Sequence, residues 1–260
     1  MQAQLKIGEV SRSVIEASAW AEALNRAGQL RMLSQRVVKL AAQGLAGVDV
    51  HRARKLQEAS AQRVQTNLDA LTKLPSASTG QTTPDVLAAA LAQTQTAWAA
   101  LSDTLSLRKS PALLKQADDK ADALLMHAEA LVGQLEVASH RRALKVVNLC
   151  GRQRMLAQRL AKDALLADLL DDERRRAGLI QTMSEFESAL LELELAPLSS
   201  PEIREALKTA RDEWMKLLYG VRTLDKSEGR LAICRASEVL LDVFDGLTEL
   251  YERSLQVIMS

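Results

Sequence analysis

Apolar residues recur along this chain at spacings of three and four rather than two, which predicts helix almost throughout. At about 100° per residue, Leu30, Leu33, Val37 and Leu40 fall on one arc of a helical wheel, and Leu149, Leu156 and Leu160 form the corresponding arc further on. Prolines punctuate the pattern. Pro75 and Pro84 bracket a Ser/Thr/Gly-rich loop over 76–83, and Ser110-Pro111, Ser200-Pro201 and Thr83-Pro84 each read as a hydroxyl N-cap followed by proline at the first helical position. Gly44-Leu45-Ala46-Gly47 and the acidic pair Asp171-Asp172 end two further helices. Eight helices are predicted, at roughly 5–46, 50–74, 84–107, 111–138, 140–169, 172–195, 201–224 and 227–258.

The helices repeat as a set of four. Asn25-Arg-Ala-Gly28-Gln-Leu-Arg31-Met32-Leu33-Ser-Gln35-Arg36 returns as Asn148-Leu-Cys-Gly151-Arg-Gln-Arg154-Met155-Leu156-Ala-Gln158-Arg159, with seven of twelve positions identical at an offset of 123. Lys39 and Lys162 extend the match. Further along, Trp98 pairs with Trp214, and Asp122-Ala-Leu-Leu with Glu238-Val-Leu-Leu, at an offset of 116; a shorter loop in the second half accounts for the difference. The predicted fold is all-α, two tandem up-down four-helix bundles over 1–138 and 139–260 that form a pseudo-twofold pair.

Composition narrows the function classes. The chain is 47% hydrophobic and 26% charged with only 3% aromatics, a helix-forming mixture poor in the residues that suit strands. A net charge of +1 and so few rings argue against direct nucleic-acid binding. No basic segment followed by an apolar run opens the chain, and no apolar stretch is long enough to span a membrane, so a cytoplasmic location is expected. His51, His127 and His140 lack the Glu-x-x-His spacing of a di-iron bundle, and Cys150 and Cys234 lack metal-ligand spacing, so no metal and no cofactor are expected. Nor does any nucleophile–base pair or phosphate loop suggest an enzyme. Trp98 and Trp214 are expected to be equivalent core residues, and Arg174–Arg176 a solvated charged turn.

The repeated segment carries the candidate chemistry. Opposite the leucine arc lie Asn25, Gly28, Arg31, Met32, Gln35 and Arg36, matched by Asn148, Gly151, Arg154, Met155, Gln158 and Arg159. Glycine inside a helix costs about 1 kcal/mol relative to alanine, so a repeated glycine there marks close approach of a backbone or ligand. If the two copies meet across the pseudo-twofold axis, Arg31 and Arg154 face each other and ask for an anion between them. A guanidinium fork suits a small planar oxyanion better than the point charge of lysine does. Asn25 and Asn148 read first as interhelical hydrogen-bonding groups, and Met32 and Met155 as wall or packing residues. Arg36 and Arg159 divide evenly between ligand contact and carboxylate pairing, and Gln35 and Gln158 stay undecided.

The Asn-x-Ala-Gly-x-x-Arg-Met-x-Ser-x-Arg pattern resembles the P-box in the sensor domain of nitrate/nitrite sensor kinases, and is similar to the PilJ-type and NIT nitrate- and nitrite-sensing domains. The resemblance covers about 20 residues per copy. It implies a four-helix bundle with the motif on its first helix, nitrate or nitrite held by the arginines that match Arg31 and Arg154, and glycines matching Gly28 and Gly151 lining the same site. Two departures stand out: Arg26 becomes Leu149, and Ala27 becomes Cys150. The resemblance and the residues together lead to the expectation of a cytoplasmic nitrate sensor. It works as a monomeric pseudo-dimer or a homodimer, and signals to a separate protein, an antitermination regulator, a kinase or a nitrate-assimilation protein. The alternative is a helical adaptor that docks another helix on the repeated face. The pairing requires the chain to reverse near Ser139-His140; a straight rod there would stack the bundles end to end and part the arginines.

Overall fold

The computed structural model describes residues 2–73, 84–107, 110–139, 145–197 and 199–259. Among them every regular element is helical: α1 (Gln2–Leu45), α2 (Val50–Thr72), α3 (Pro84–Ser106), α4 (Pro111–Ser139), α5 (Lys145–Leu170), α6 (Glu173–Glu194), α7 (Pro201–Arg222) and α8 (Ser227–Met259). The loop read over 76–83, the Thr83 cap and His140 lie outside the described residues.

The punctuation acts through identifiable bonds. Ser110 and Ser200 each accept a hydrogen bond on Oγ from a backbone amide three residues on, Leu113 N and Ile203 N, both at 3.2 Å. After α1 the chain turns through Gly47 at φ 74°, a left-handed conformation that glycine adopts without steric cost. After α5, Asp171 takes a left-handed φ of 50° and Asp172 caps α6 by accepting from Arg175 N at 3.1 Å. The Arg174–Arg176 turn departs from the sequence expectation at its middle residue. Arg175, in the first turn of α6, reaches inward to pair with the buried Asp118 on α4.

The two halves share one internal plan. In the first, α1 packs on α2 and α4, and α3 on α4; in the second, α5 packs on α6 and α8, and α7 on α8. Trp98 and Trp214 are both buried at corresponding places, and Trp214 stacks on Phe186 with centroids 3.9 Å apart. The halves meet chiefly along α1 and α5. These two helices are parallel. Helix α8 runs against α1, with Glu252 beside Glu22 at one end and Glu238 bonded to Lys39 at the other. It also runs against α5, pairing Asp245 with Arg154 and Arg230 with Asp168.

Helix α4 runs against α5 in turn, with Glu136 on Asn148 and Asp122 on Lys162. Helices α4 and α5 therefore run in opposite directions, and the repeated segments lie side by side, not end to end. Each of α1 and α5 is covered on nearly every face over the repeated segment, so its polar arc is turned against neighbouring helices and not toward solvent.

Candidate functional site

Glycines on the parallel helices bring the backbones together. A Cβ built on Gly28 stands 4.0 Å from Gly151 Cα, and one on Gly151 stands 3.8 Å from Gly28 Cα. An added Cβ on either glycine would thus touch the other backbone at ordinary van der Waals distance, which leaves no room between the helices for a long side chain. Three residues on, Arg31 and Arg154 fold back along their helices, as helical side chains do, and end beside these glycines. Measured from the Cβ position of Gly151, Arg31 Nη2 is at 3.0 Å and Arg154 Nη2 at 3.5 Å, so the two nitrogens are no more than 6.5 Å apart. At an effective dielectric near 20 that separation means a repulsion of at least about 2.5 kcal/mol before compensation.

Compensation comes from crossed bonds. Arg31 Nη2 donates to Asn148 Oδ1 on the other copy at 2.7 Å, and Arg154 Nη2 donates to Asn25 Oδ1 at 2.9 Å. Each Nη1 donates to a carboxylate on the last helix of its own half, Arg31 to Glu129 at 3.0 Å and Arg154 to Asp245. Glu129 and Asp245 are themselves a repeat pair at the offset of 116. The arginines are 2% and 1% exposed, whereas the carboxylates are 43% and 46% exposed. The centre is thus a buried cationic pair whose counter-ions stand at the rim. Both Nε–H groups are buried without a hydrogen-bond partner. Burial lowers the proton affinity of the Arg31 guanidinium; Glu129 opposes that effect and Arg154 adds to it.

The other residues of the motif separate by role. Asn25 and Asn148 are the interhelical acceptors of those crossed bonds, and Asn148 Nδ2 also donates to Glu136 Oε1 at 2.6 Å. Met32 and Met155 are buried packing residues. Gln35 and Gln158 are buried one turn beyond the arginines; their amides donate to Ser34 Oγ and Ser237 O, leaving each Oε1 unpartnered. An unpaired acceptor offers a negative guest nothing, which sets these two apart from the arginines. Arg36 pairs with Glu238, and Arg159 lies 3.6 Å from Asp163, so carboxylate pairing accounts for both.

Below the arginines lies a second charged layer. Lys39 and Lys162 are 0% and 1% exposed and cross-clasp the opposite half: Lys39 bonds Glu238 on α8, and Lys162 bonds Asp118 and Asp122 on α4. Their partners Asp122 and Glu238 head the second repeated segment, a signal that the repeat carries, whereas Asp118 is matched by Cys234. Cys150, which replaces Ala27, is fully buried and its thiol is pushed up to about 12 by that burial, an inert packing group. Among the described residues no helix is long and apolar enough to cross a membrane.

Compared with known families, the chain matches one described as the type IV pili methyl-accepting chemotaxis transducer N-terminal domain, PilJ, over residues 15–124 and again over 136–239. No curated protein and no solved structure matches it.

Proposed function

Because the chain belongs to the PilJ family twice over, as a tandem pair of a sensory transducer domain, we propose that it senses a small planar oxyanion, nitrate first and nitrite second, held between Arg31 and Arg154. The observation that carries this reading is the convergence of two buried guanidinium groups on the Gly28–Gly151 contact, with both Nε–H donors still free. A flat anion with three oxygens accepts from several edges of two such forks at once. Gly28 and Gly151 line the same place, and Asn25 and Asn148 hold the forks in position.

Signalling follows from differential affinity. The guest favours whichever spacing or register of α1 and α5 lets both arginines reach it, and it shifts the population by the difference in binding energy between the states. A separate protein, whether an antitermination regulator, a kinase or a nitrate-assimilation protein, takes up that displacement. Free thiols at Cys150 and Cys234 suit the reducing cytoplasm, which is part of the proposal.

The adaptor reading keeps one observation in its favour: each arginine already has an asparagine and a carboxylate, which makes a sufficient cross-brace on its own. Titration calorimetry with sodium nitrate discriminates the two. Arg31→Ala and Arg154→Ala are each expected to weaken binding by roughly a hundredfold, the loss of charge-assisted bonds worth about 3 kcal/mol. Heats unchanged from wild type in both variants, or no heat from wild type, leave the arginines as a structural brace.

A further inference from the structure

The arginine pair sits among more negative charge than it can neutralise. Glu129 and Asp245 bond the arginines directly, and about two helical turns further along α4 and α8 lie Glu136 and Glu252, again matched at the offset of 116. These two equivalent glutamates are not equally satisfied. Glu136 Oε1 accepts from Asn148 Nδ2, the amide whose oxygen receives Arg31. Glu252 Oε1 is buried without a hydrogen-bond partner, although Asn25 occupies the matching place beside Arg154. The twofold relation holds for the arginines, the asparagines and the inner carboxylates, and fails at this oxygen.

Its surroundings bear on what that oxygen does. From α5, Arg154 attracts its charge and the Cys150 thiol stands nearby; from α1, Glu22 repels it; on α8 itself, Glu249 repels it. Burial, the largest influence, and both glutamates hold the Glu252 carboxyl above its ordinary range, against Arg154. Arg154 is therefore the one attractive neighbour among these charges, and it is also the group that a bound anion engages. An anion at Arg154 weakens that attraction and adds a negative charge of its own. Both changes favour the neutral form of Glu252.

Resting on the anion reading above, we infer that capture of the anion at the arginine pair is coupled to uptake of a proton by Glu252, so that the site takes an anion and a proton together. Glu252 then sets affinity without belonging to the arginine pair. By linkage, affinity falls as pH rises through the range where free and bound forms differ in protonation, by up to about tenfold per pH unit if one full proton enters. The same arrangement disfavours guests of higher charge, because one neutralised carboxyl cannot offset two added charges.

The experiment is calorimetry with sodium nitrate on the full chain at several pH values, in paired buffers of different ionisation enthalpy, for wild type, Glu252→Gln and Glu249→Gln. Wild type and Glu249→Gln are expected to take up a proton and to bind more weakly as pH rises. Glu252→Gln is expected to bind with no proton uptake and with affinity flat in pH, at or above the wild-type value at low pH. A second readout needs no variant: addition of nitrate to wild type in unbuffered solution raises the pH. Binding without proton uptake in wild type, or uptake retained in Glu252→Gln, overturns the coupling alone. No binding in wild type at any pH removes the anion reading and the coupling with it.

Discussion

At the scale of single residues, the two glycines are alike in sequence and unlike in tolerance. A Cβ on Gly151 meets Arg31 Nη2 at 3.0 Å, tighter than ordinary packing, whereas one on Gly28 finds the same atom at 3.5 Å. Alanine at either position gains helical propensity of up to about 1 kcal/mol. Gly151→Ala is expected to push the Arg31 guanidinium off its bond to Asn148 and weaken nitrate binding by about fivefold, the value of one hydrogen bond near 1 kcal/mol. Gly28→Ala is expected to leave affinity nearly unchanged. Parallel calorimetry on the two variants, with thermal melts to register any gain in stability, checks the difference.

The arginines, glycines and asparagines were legible because the same spacing occurs twice, and a repeat filters out chance. Their carboxylate partners were not. Glu129 and Asp245 sit on helices that also carry exposed charges, and a carboxylate at the rim of a buried site has the same sequence signature as one in water. Lys39 and Lys162 were visible as an extension of the repeat, but nothing in their spacing announced complete burial. That comes about only when α1 and α5 are each enclosed by helices of both halves.

At the scale of elements, the ionic clasps tie each first helix to the last helix of the opposite half. Glu238 on α8 accepts from both Arg36 and Lys39 of α1. Burial opposes its ionisation, and the two cations win, holding its carboxyl at about 2. Because this folded value lies below the ordinary one of 4.5, the clasp contributes stability that is fully present above pH 4.5 and is lost as pH falls through 2. The shift corresponds to roughly 3 kcal/mol at neutral pH. Glu238→Gln is therefore expected to melt well below wild type at pH 7, with the gap closing between pH 4.5 and 2. A gap that stays constant across that range sinks the assignment of the stabilisation to the charged form.

At this scale too, the caps at Ser110 and Ser200 matched the proline signals, because proline at the first helical turn and a hydroxyl before it are local chemistry. The inward reach of Arg175 is hidden in the sequence, since its partner Asp118 lies 57 residues away on α4 and comes near only through tertiary packing. Whether α4 and α5 join as one rod or fold back was open in the sequence for the same kind of reason: the run reads as helix throughout, and only the crossed contacts of Glu136 and Asp122 with α5 decide the direction.

At the scale of the whole molecule, the halves are joined along α1 and α5 and by the two lysine clasps, contacts that do not run through the segment between α4 and α5. A protease site inserted between Ser139 and Lys145 and then cut is expected to leave the halves together through size-exclusion chromatography in ordinary salt. Nitrate affinity should remain close to that of the intact chain. Separation of the fragments on cleavage shows instead that the interface depends on being within one chain.

Covalent duplication has one more consequence. In an assembly of two identical chains, any substitution lands on both sides of the axis at once, so the centre is obliged to stay even-handed. Here each side drifts alone: Cys150 stands across from Ala27, Cys234 across from Asp118, and a glutamate that is satisfied at 136 is left wanting at 252. On the proposed anion reading, the guest would meet unequal walls, and the choice of which helix responds to it would be built into the chain and not left to chance.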